Sequence, residues 1–183
     1  MAGLLRYPGG PLREPSADGP LWLDTRPADQ GSIIVGNTLP SDWAVAGRSY
    51  NVGTLTIHNP SSLTATLEAV TPLDPTGLVL EAVYGRQSDA PSAEITGFGP
   101  SGEHPDLATL GRDFATLPLA IPPSGDSHDR DTQLLVVLRS TGPGAFGFSA
   151  LAVDYRLGPF AFHVIEHLAL AGCMGPLPSG SSC

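Results

Sequence analysis

The chain has 183 residues, the size of one typical domain, and is 41% hydrophobic, which excludes a wholly disordered protein. Glycine (22 residues) and proline (19 residues) make up about 22% of the chain, nearly twice the usual level of about 12%, so turns should outnumber long helices. The net charge of −9, with nine Arg and no Lys, argues against binding to a nucleic-acid backbone, and no apolar run has the length of a membrane-spanning helix.

Residues 1–31 are rich in proline and glycine and show little periodicity, so we expect an extended amino-terminal arm. Leu21, Trp22 and Leu23 are the exception, and could dock as an edge strand or mark a partner segment. Residues 1–8 lack the apolar region of a signal peptide. The protein should therefore be either cytoplasmic or exported by a targeting segment that is not part of this chain.

The middle of the chain has the alternation and turn signals of β-strands. Residues 63–69 alternate strictly between apolar and polar, as expected for a strand with one face exposed to water. Gly53 predicts a bulge in the preceding strand, 48–59. Asn59 and the following residues predict a hairpin turn between these two strands. The apolar run 132–139 predicts a central strand that is covered on both faces. The predicted strands are 32–37, 48–59, 63–69, 78–84, 114–121, 132–139 and 145–157.

The segment 160–171 has two interpretations. A preceding Pro159 and a following Gly172 are typical of helix ends. Alternation of Phe160, Phe162 and Val164 favours a strand, paired with its predecessor across a tight turn. We favour the strand, which gives about seven or eight strands and predicts an all-β, antiparallel, immunoglobulin-like β-sandwich over residues 32–173, followed by a flexible tail at 174–183.

A polar, glycine-rich stretch at 85–115 is unusually long for a loop inside a compact domain. Rigid sandwiches often carry binding residues on such loops, so this stretch is one candidate binding region. An exposed sheet edge is the other candidate.

Both cysteines, Cys173 and Cys183, lie near the carboxyl end of the sequence. The nine residues between them are flexible and would close into a disulfide loop, stabilising the protein by about 2–3 kcal/mol. A disulfide would indicate an oxidising compartment. The alternative is two free thiols in a frayed tail.

His163, Glu166 and His167 match the H-x-x-E-H pattern of inverted zinc proteases. That chemistry requires a helix that brings both histidines to one metal ion. In a strand, positions four apart lie about 13 Å apart, which is too far to share an ion. A metal-dependent hydrolase is therefore the third and least favoured hypothesis, and no catalytic residue is assigned.

Asp126, Asp129 and Asp131 place three carboxylates just before a predicted strand. Such a cluster can bind calcium through oxygen, although it lacks the glycine and terminal glutamate of an EF-hand. The alternative is a solvated turn, and we expect no other cofactor.

Several strand and turn segments resemble uncharacterised actinobacterial envelope proteins. The resemblance lies in residues 50–53, 58–61, 134–144 and 153–158, and in the apolar strand that ends at Cys173. Those proteins have an amino-terminal membrane anchor and an immunoglobulin-like external domain. The resemblance implies an extracytoplasmic, envelope-associated or secreted domain and carries over no functional residues.

Together these features predict a non-enzymatic domain that binds a protein partner or an envelope component through a sheet edge or the 85–115 loop. The arm could also pair with a neighbouring copy's sheet and produce oligomers. A structural subunit of a particle, such as a phage decoration or tail protein, is the alternative.

Overall fold

The computed structural model describes residues 19–25, 32–39, 48–87, 98–100, 114–124, 131–166 and 168–174, and every structural statement below refers to these residues. Residues 22–25, 32–39, 53–54 and 98–100 are described by their backbone alone.

All regular structure in these ranges is β-strand, and they contain no helix long and apolar enough to cross a membrane. The strands are β1 (Trp22–Thr25), β2 (Ser32–Leu39), β3 (Ser49–His58), β4 (Ala65–Leu73), β5 (Leu78–Gln87), β6 (Phe98–Pro100), β7 (Ala115–Thr116), β8 (Leu119–Ile121), β9 (Thr132–Ser140), β10 (Gly144–Phe148), β11 (Ala150–Leu157), β12 (Phe160–Glu166) and β13 (Ala169–Met174).

The first layer is an antiparallel sheet in the order β1-β3-β9-β5-β7. β1 and β6 pair with opposite ends of β3 and so cover one side of that strand. The register between β3 and β9 shifts between Val52 and Leu55, which places the predicted bulge around Gly53. β9 is buried on both faces, as the apolar run predicted.

The second layer is a bent ribbon made of two sheets. One sheet has the order β12-β11-β4-β8 and the other has the order β10-β13-β2. β10 passes into β11 at Ser149, and β12, which ends at Glu166, is followed by β13, so the same antiparallel hairpin runs through both sheets. β2 pairs with β13 in parallel, and every other strand pair among the described residues is antiparallel.

This strand order is that of the immunoglobulin fold, which has strands A-B-E-D in one sheet and C-F-G in the other. Here β1-β3-β9-β5 take the first set of positions and β4-β11-β12 take the second. The predicted all-β, antiparallel, immunoglobulin-like sandwich is therefore confirmed. The described ranges hold more strands than predicted for three reasons: the bend breaks the last hairpin, β1 and β6 are short additions, and the predicted strand 114–121 is divided into β7 and β8, which pair in different sheets.

The core lies between the two layers. It contains apolar side chains from the first layer, such as Tyr50 and Leu134, and from the second layer, such as Leu151 and Leu170. In β4, Ala65 and Leu67 are buried and alternate with exposed residues, and after a register shift against β11 the alternation resumes with Val70 buried.

Two sequence interpretations of the connections are settled by the strand pairing. Residues 160–166 and 169–174 form strands, which confirms the preferred interpretation of the ambiguous segment. The predicted hairpin between β3 and β4 was wrong, because these strands lie in different layers and do not pair. Asn59 donates from Nδ2 to the carbonyls of Leu63 and Ile121, both at 2.9 Å, and these bonds hold the crossing between layers.

Part of the predicted arm packs on the sandwich. β1 pairs along its length with β3, and Leu21 is buried in the core. Residues 1–18 and 26–31 of the arm lie outside the described residues. At the other end, β13 reaches Met174, the first residue of the predicted tail, which is buried.

The bend in the ribbon predicts a steric test at Gly147. A Cβ there would lie 2.1 Å from the Leu170 carbonyl oxygen, whereas a Cβ at Gly142 would meet nothing within 4 Å. Both glycines have positive φ, so the backbone strain of an alanine is similar and the clash is the difference. We expect Gly147→Ala to reduce the free energy of unfolding by at least about 2 kcal/mol more than Gly142→Ala in urea titrations. Equal losses would contradict this packing.

Candidate functional site

The outer edge of β12 is one of the long strand edges of the sandwich that lack a neighbouring strand among the described residues. β12 pairs with β11 on its inner side, without a register shift, and no other described strand pairs with it. The position beside β13, its continuation, is filled by β2. The other long strands at a sheet edge are β2, which is described by its backbone alone, and β5, which β7 covers only at Tyr84 and Gly85.

The side chains of β12 divide between the core and the surface. Phe162 stacks on Tyr155 with ring centroids 5.0 Å apart, and Val164 is buried. Ile165 is 48% exposed on the outer face, and Phe160, at the start of the strand, is 61% exposed. Leu63, 46% exposed, lies within van der Waals distance of the β-carbon position of Gly158 in the turn before β12. This edge thus combines extended backbone with exposed apolar side chains.

Other edges carry features that oppose pairing with another chain. β1, β6, β7 and β8 have four residues or fewer, and β8 lies between Pro118 and Pro122. On the side of β10 that faces away from β13, Gly147 pairs with Thr76 in an isolated antiparallel bridge. β5 contains a bulge at Glu81, whose carboxylate accepts a hydrogen bond from Ser49. β12 has no proline, lysine, arginine or bulge, so it alone among these strands lacks such a feature.

The H-x-x-E-H pattern does not form a metal site of the protease type. His163 and Glu166 lie on strand β12, not on a helix, and His167 lies outside the described residues. His163 Nδ1 instead contacts Asp154 Oδ1 of β11 at 2.6 Å on the exposed face of the sheet. No group of three His, Cys, Asp or Glu in the described ranges is close enough to hold a metal ion.

The three predicted calcium ligands are not brought together in the described residues. Asp126 and Asp129 lie outside them, so calcium binding there stays a prediction. Asp131 is buried, and its Oδ1 contacts His58 Nδ1 at 2.7 Å. The side chains of His58 and Asp131 are only 7% and 6% exposed. The sequence did not reveal this pair, because its members come from β3 and the start of β9 and carry no shared motif.

A second buried polar cluster joins Asn59, Ser61 and Ser124. The backbone N–H of Asn59 donates to Ser124 Oγ at 3.0 Å, and the backbone N–H of Ser124 donates to the backbone carbonyl of Asn59 at 2.8 Å. Ser61 Oγ donates to Asn59 Oδ1 at 2.6 Å. These bonds satisfy polar groups in the interior and tie the loop after β3 to the segment after β8. The role of this cluster is structural.

The described parts of the 85–115 stretch are attached to the first layer. β5 extends to Gln87, and β6 pairs with β3. Phe114 packs with Tyr84 against Leu135 and Val137 on the outer face of the sheet. The Arg86 guanidinium lies 5.1 Å from the Phe114 ring centroid, a cation–π contact. Residues 88–97 and 101–113 lie outside the described residues, so a binding role for them stays a prediction.

Cys173 is buried in β13. Cys183 lies outside the described residues, so a disulfide between Cys173 and Cys183 stays a prediction.

No family model matches this chain, and none of the curated proteins matches it in sequence. Among solved structures, the CooA pilin subunit from enterotoxigenic Escherichia coli is similar over 85% of this chain and 99% of its own. The two share 12% sequence identity, with a TM-score of 0.36. At that TM-score the similarity supports no argument about fold or function, so the fold assignment above depends on strand order alone.

The two His–Asp pairs predict different effects of the same substitution. Asp131→Asn removes the charge that faces a buried imidazole, and we expect it to lower the free energy of unfolding by about 3 kcal/mol. Asp154→Asn changes an exposed pair and should cost less than about 1 kcal/mol. Urea titrations at pH 6 measure both. A cost for Asp131→Asn no larger than for Asp154→Asn would contradict a stabilising role for the buried pair.

Proposed function

We propose that this protein is a non-enzymatic, extracytoplasmic β-sandwich that binds a protein partner by strand addition at the outer edge of β12. The observation that carries the proposal is the contrast between β12 and the other edges. β12 is a seven-residue strand with exposed Ile165 and Phe160 and with no proline, lysine, arginine or bulge. Such an edge offers backbone hydrogen bonds to an extended segment, and the side chains along it select its sequence.

The β12 edge is favoured over the 85–115 stretch. The described parts of that stretch use their side chains and backbone within the first layer, through β6 and Phe114. Of the five exposed large apolar side chains among the described residues, Leu63, Phe160 and Ile165 lie on or beside β12, and the other two lie on β5, which carries a bulge. Contact with these three side chains would bury apolar surface as the backbone pairs.

A binding role also fits the positions of the two His–Asp pairs better than catalysis does. His58 and Asp131 are almost completely covered by the protein, which leaves little surface for a substrate. His163 and Asp154 lie on the outer face of a sheet, where water has open access. General acid–base catalysis usually depends on a positioned side chain that a substrate can approach in a cleft.

Placement outside the cytoplasm is part of the proposal and has two supports. The strand and turn segments resemble those of actinobacterial envelope proteins. The predicted disulfide between Cys173 and Cys183 would be typical of proteins in oxidising compartments. An acidic chain of net charge −9 attracts a neutral or basic partner strand more than an acidic one.

The proposal predicts that peptides bind at β12 and that charge at Ile165 weakens the binding. Random peptides displayed on phage are selected on the immobilised full chain, and the affinities of synthetic copies are then measured. Ile165→Lys removes an apolar contact and adds an edge charge, so affinity should fall at least about tenfold. Val79→Lys is the matched control, because Val79 is 39% exposed on β5, at a protected edge, and this variant should bind as the wild type does.

Binding that is insensitive to Ile165→Lys, or equally weakened by both variants, would refute strand addition at β12. A closed symmetric assembly of the full chain, with no selected peptide at β12, would instead favour the particle-subunit alternative.

A further inference from the structure

Two facing pairs of polar side chains lie together on the first layer, where β3 and β9 run side by side. Thr56 is paired directly with Gln133, and the His58–Asp131 pair follows it along the same two strands. Ile57, between Thr56 and His58, is in the core, so its two neighbours lie on the face that points away from the second layer. These side chains combine a hydroxyl, an amide, an imidazole and a carboxylate at one place in the sheet.

The hydroxyl of Thr56 and the amide of Gln133 are positioned to react with each other. Residues directly opposite on antiparallel strands have Cβ atoms about 4.5–5.5 Å apart. An ester from a threonine Oγ1 to a glutamine Cδ joins the two Cβ atoms through four bonds of about 1.5 Å each, which fits this separation. Because the strands hold both groups in place, their reaction is intramolecular and gains the large rate advantage of fixed proximity.

Arg86 of β5 activates the amide carbonyl of Gln133. Its Nε donates to Gln133 Oε1 at 3.0 Å, and its guanidinium lies over the Phe114 ring. A cationic donor on a carbonyl oxygen stabilises the negative charge that develops there when a nucleophile attacks the carbon. Gln133 is only 5% exposed, so this interaction is little weakened by water.

His58 is placed to accept the proton of the Thr56 hydroxyl. The Asp131 carboxylate at Nδ1 favours the neutral tautomer that has its proton on Nδ1 and its basic lone pair on Nε2. Residues two apart on a strand have Cα atoms about 7 Å apart, a distance that an imidazole and a threonine side chain bridge together. A base oriented by a carboxylate, next to a hydroxyl, is the arrangement that activates a nucleophile.

We propose that Thr56 and Gln133 form an intramolecular ester that joins β3 to β9. Thr56 Oγ1 gives its proton to His58 and bonds to Gln133 Cδ, and the carbonyl electron pair moves onto Oε1 beside Arg86. The intermediate then re-forms the carbonyl and breaks the bond from Cδ to the amide nitrogen. The electron pair of that bond leaves with the nitrogen, which takes the proton from His58 and departs as ammonia. The reaction consumes no water, oxidant or external substrate.

The ester would act as a covalent brace within the first layer. It would join two strands that are far apart in sequence, and such a cross-link restricts the unfolded chain as a disulfide does. Burial of the site keeps water from hydrolysing the bond. The inference is independent of partner binding at β12, which lies in the other layer.

Intact-mass spectrometry of the full chain, reduced and denatured, tests the inference. The wild-type mass should lie about 17 Da below the sequence mass, since one ammonia is lost. Thr56→Val removes the nucleophile but keeps a β-branched side chain, so its mass should equal that of its sequence. Thr66→Val, at an exposed position of β4, is the matched control and should show the wild-type loss.

Peptide mapping locates the bond. Trypsin cleaves after arginine, so the ester should appear as peptides 49–86 and 131–139 joined together, and hydroxylamine should separate them. Gln133→Glu has no side-chain ammonia to release and should give the two peptides unlinked, which provides a second variant should Thr56→Val fold poorly.

A wild-type mass equal to the sequence mass would overturn the inference. A loss of about 17 Da that persists in Thr56→Val would overturn it too, because the ammonia would then come from a reaction elsewhere in the chain.

Discussion

The pairing of backbone groups at sheet edges is the constraint on which the rest of this structure depends. A two-layer sandwich leaves unpaired N–H and C=O groups along its outermost strands, and these groups invite pairing with other chains. Here the edge of β3 is covered by β1 and β6, β13 is covered by β2, and β5 is bent by a bulge. The immunoglobulin-like strand order therefore covers most edges, and it leaves the outer edge of β12 with unpaired backbone N–H and C=O groups.

Buried polar contacts keep this arrangement in register. The His58–Asp131 pair joins the end of β3 to the start of β9, and the Asn59–Ser124 bonds tie the crossing loop to the segment after β8. Buried polar groups specify one arrangement because an unpaired partner would be costly in the interior. The apolar core supplies the driving force for folding, and these contacts select which strands meet.

The extent of prediction from sequence follows from how local each signal is. Alternation in residues 63–69 and the apolar run 132–139 report burial directly, so β4 and β9 were predicted and their strand identity is confirmed. The bend at Ser149 and the crossing after Asn59 were not predicted, because they depend on contacts between distant segments. The sequence predicted that a sheet edge could bind a partner, but it did not indicate which strand forms that edge. Strand order, which the sequence pattern does not encode, decides which edge lacks a neighbour.

Cross-strand backbone NOEs at β12 test the central claim most directly. The measurement is made on the isotope-labelled full chain, alone and with a selected peptide bound. The account predicts that the bound peptide makes such contacts with the outer edge of residues 160–165, which the chain measured alone serves to distinguish from contacts within the protein. An absence of contacts between the peptide and β12, with the peptide located on another surface, would contradict the claim that β12 is the binding edge.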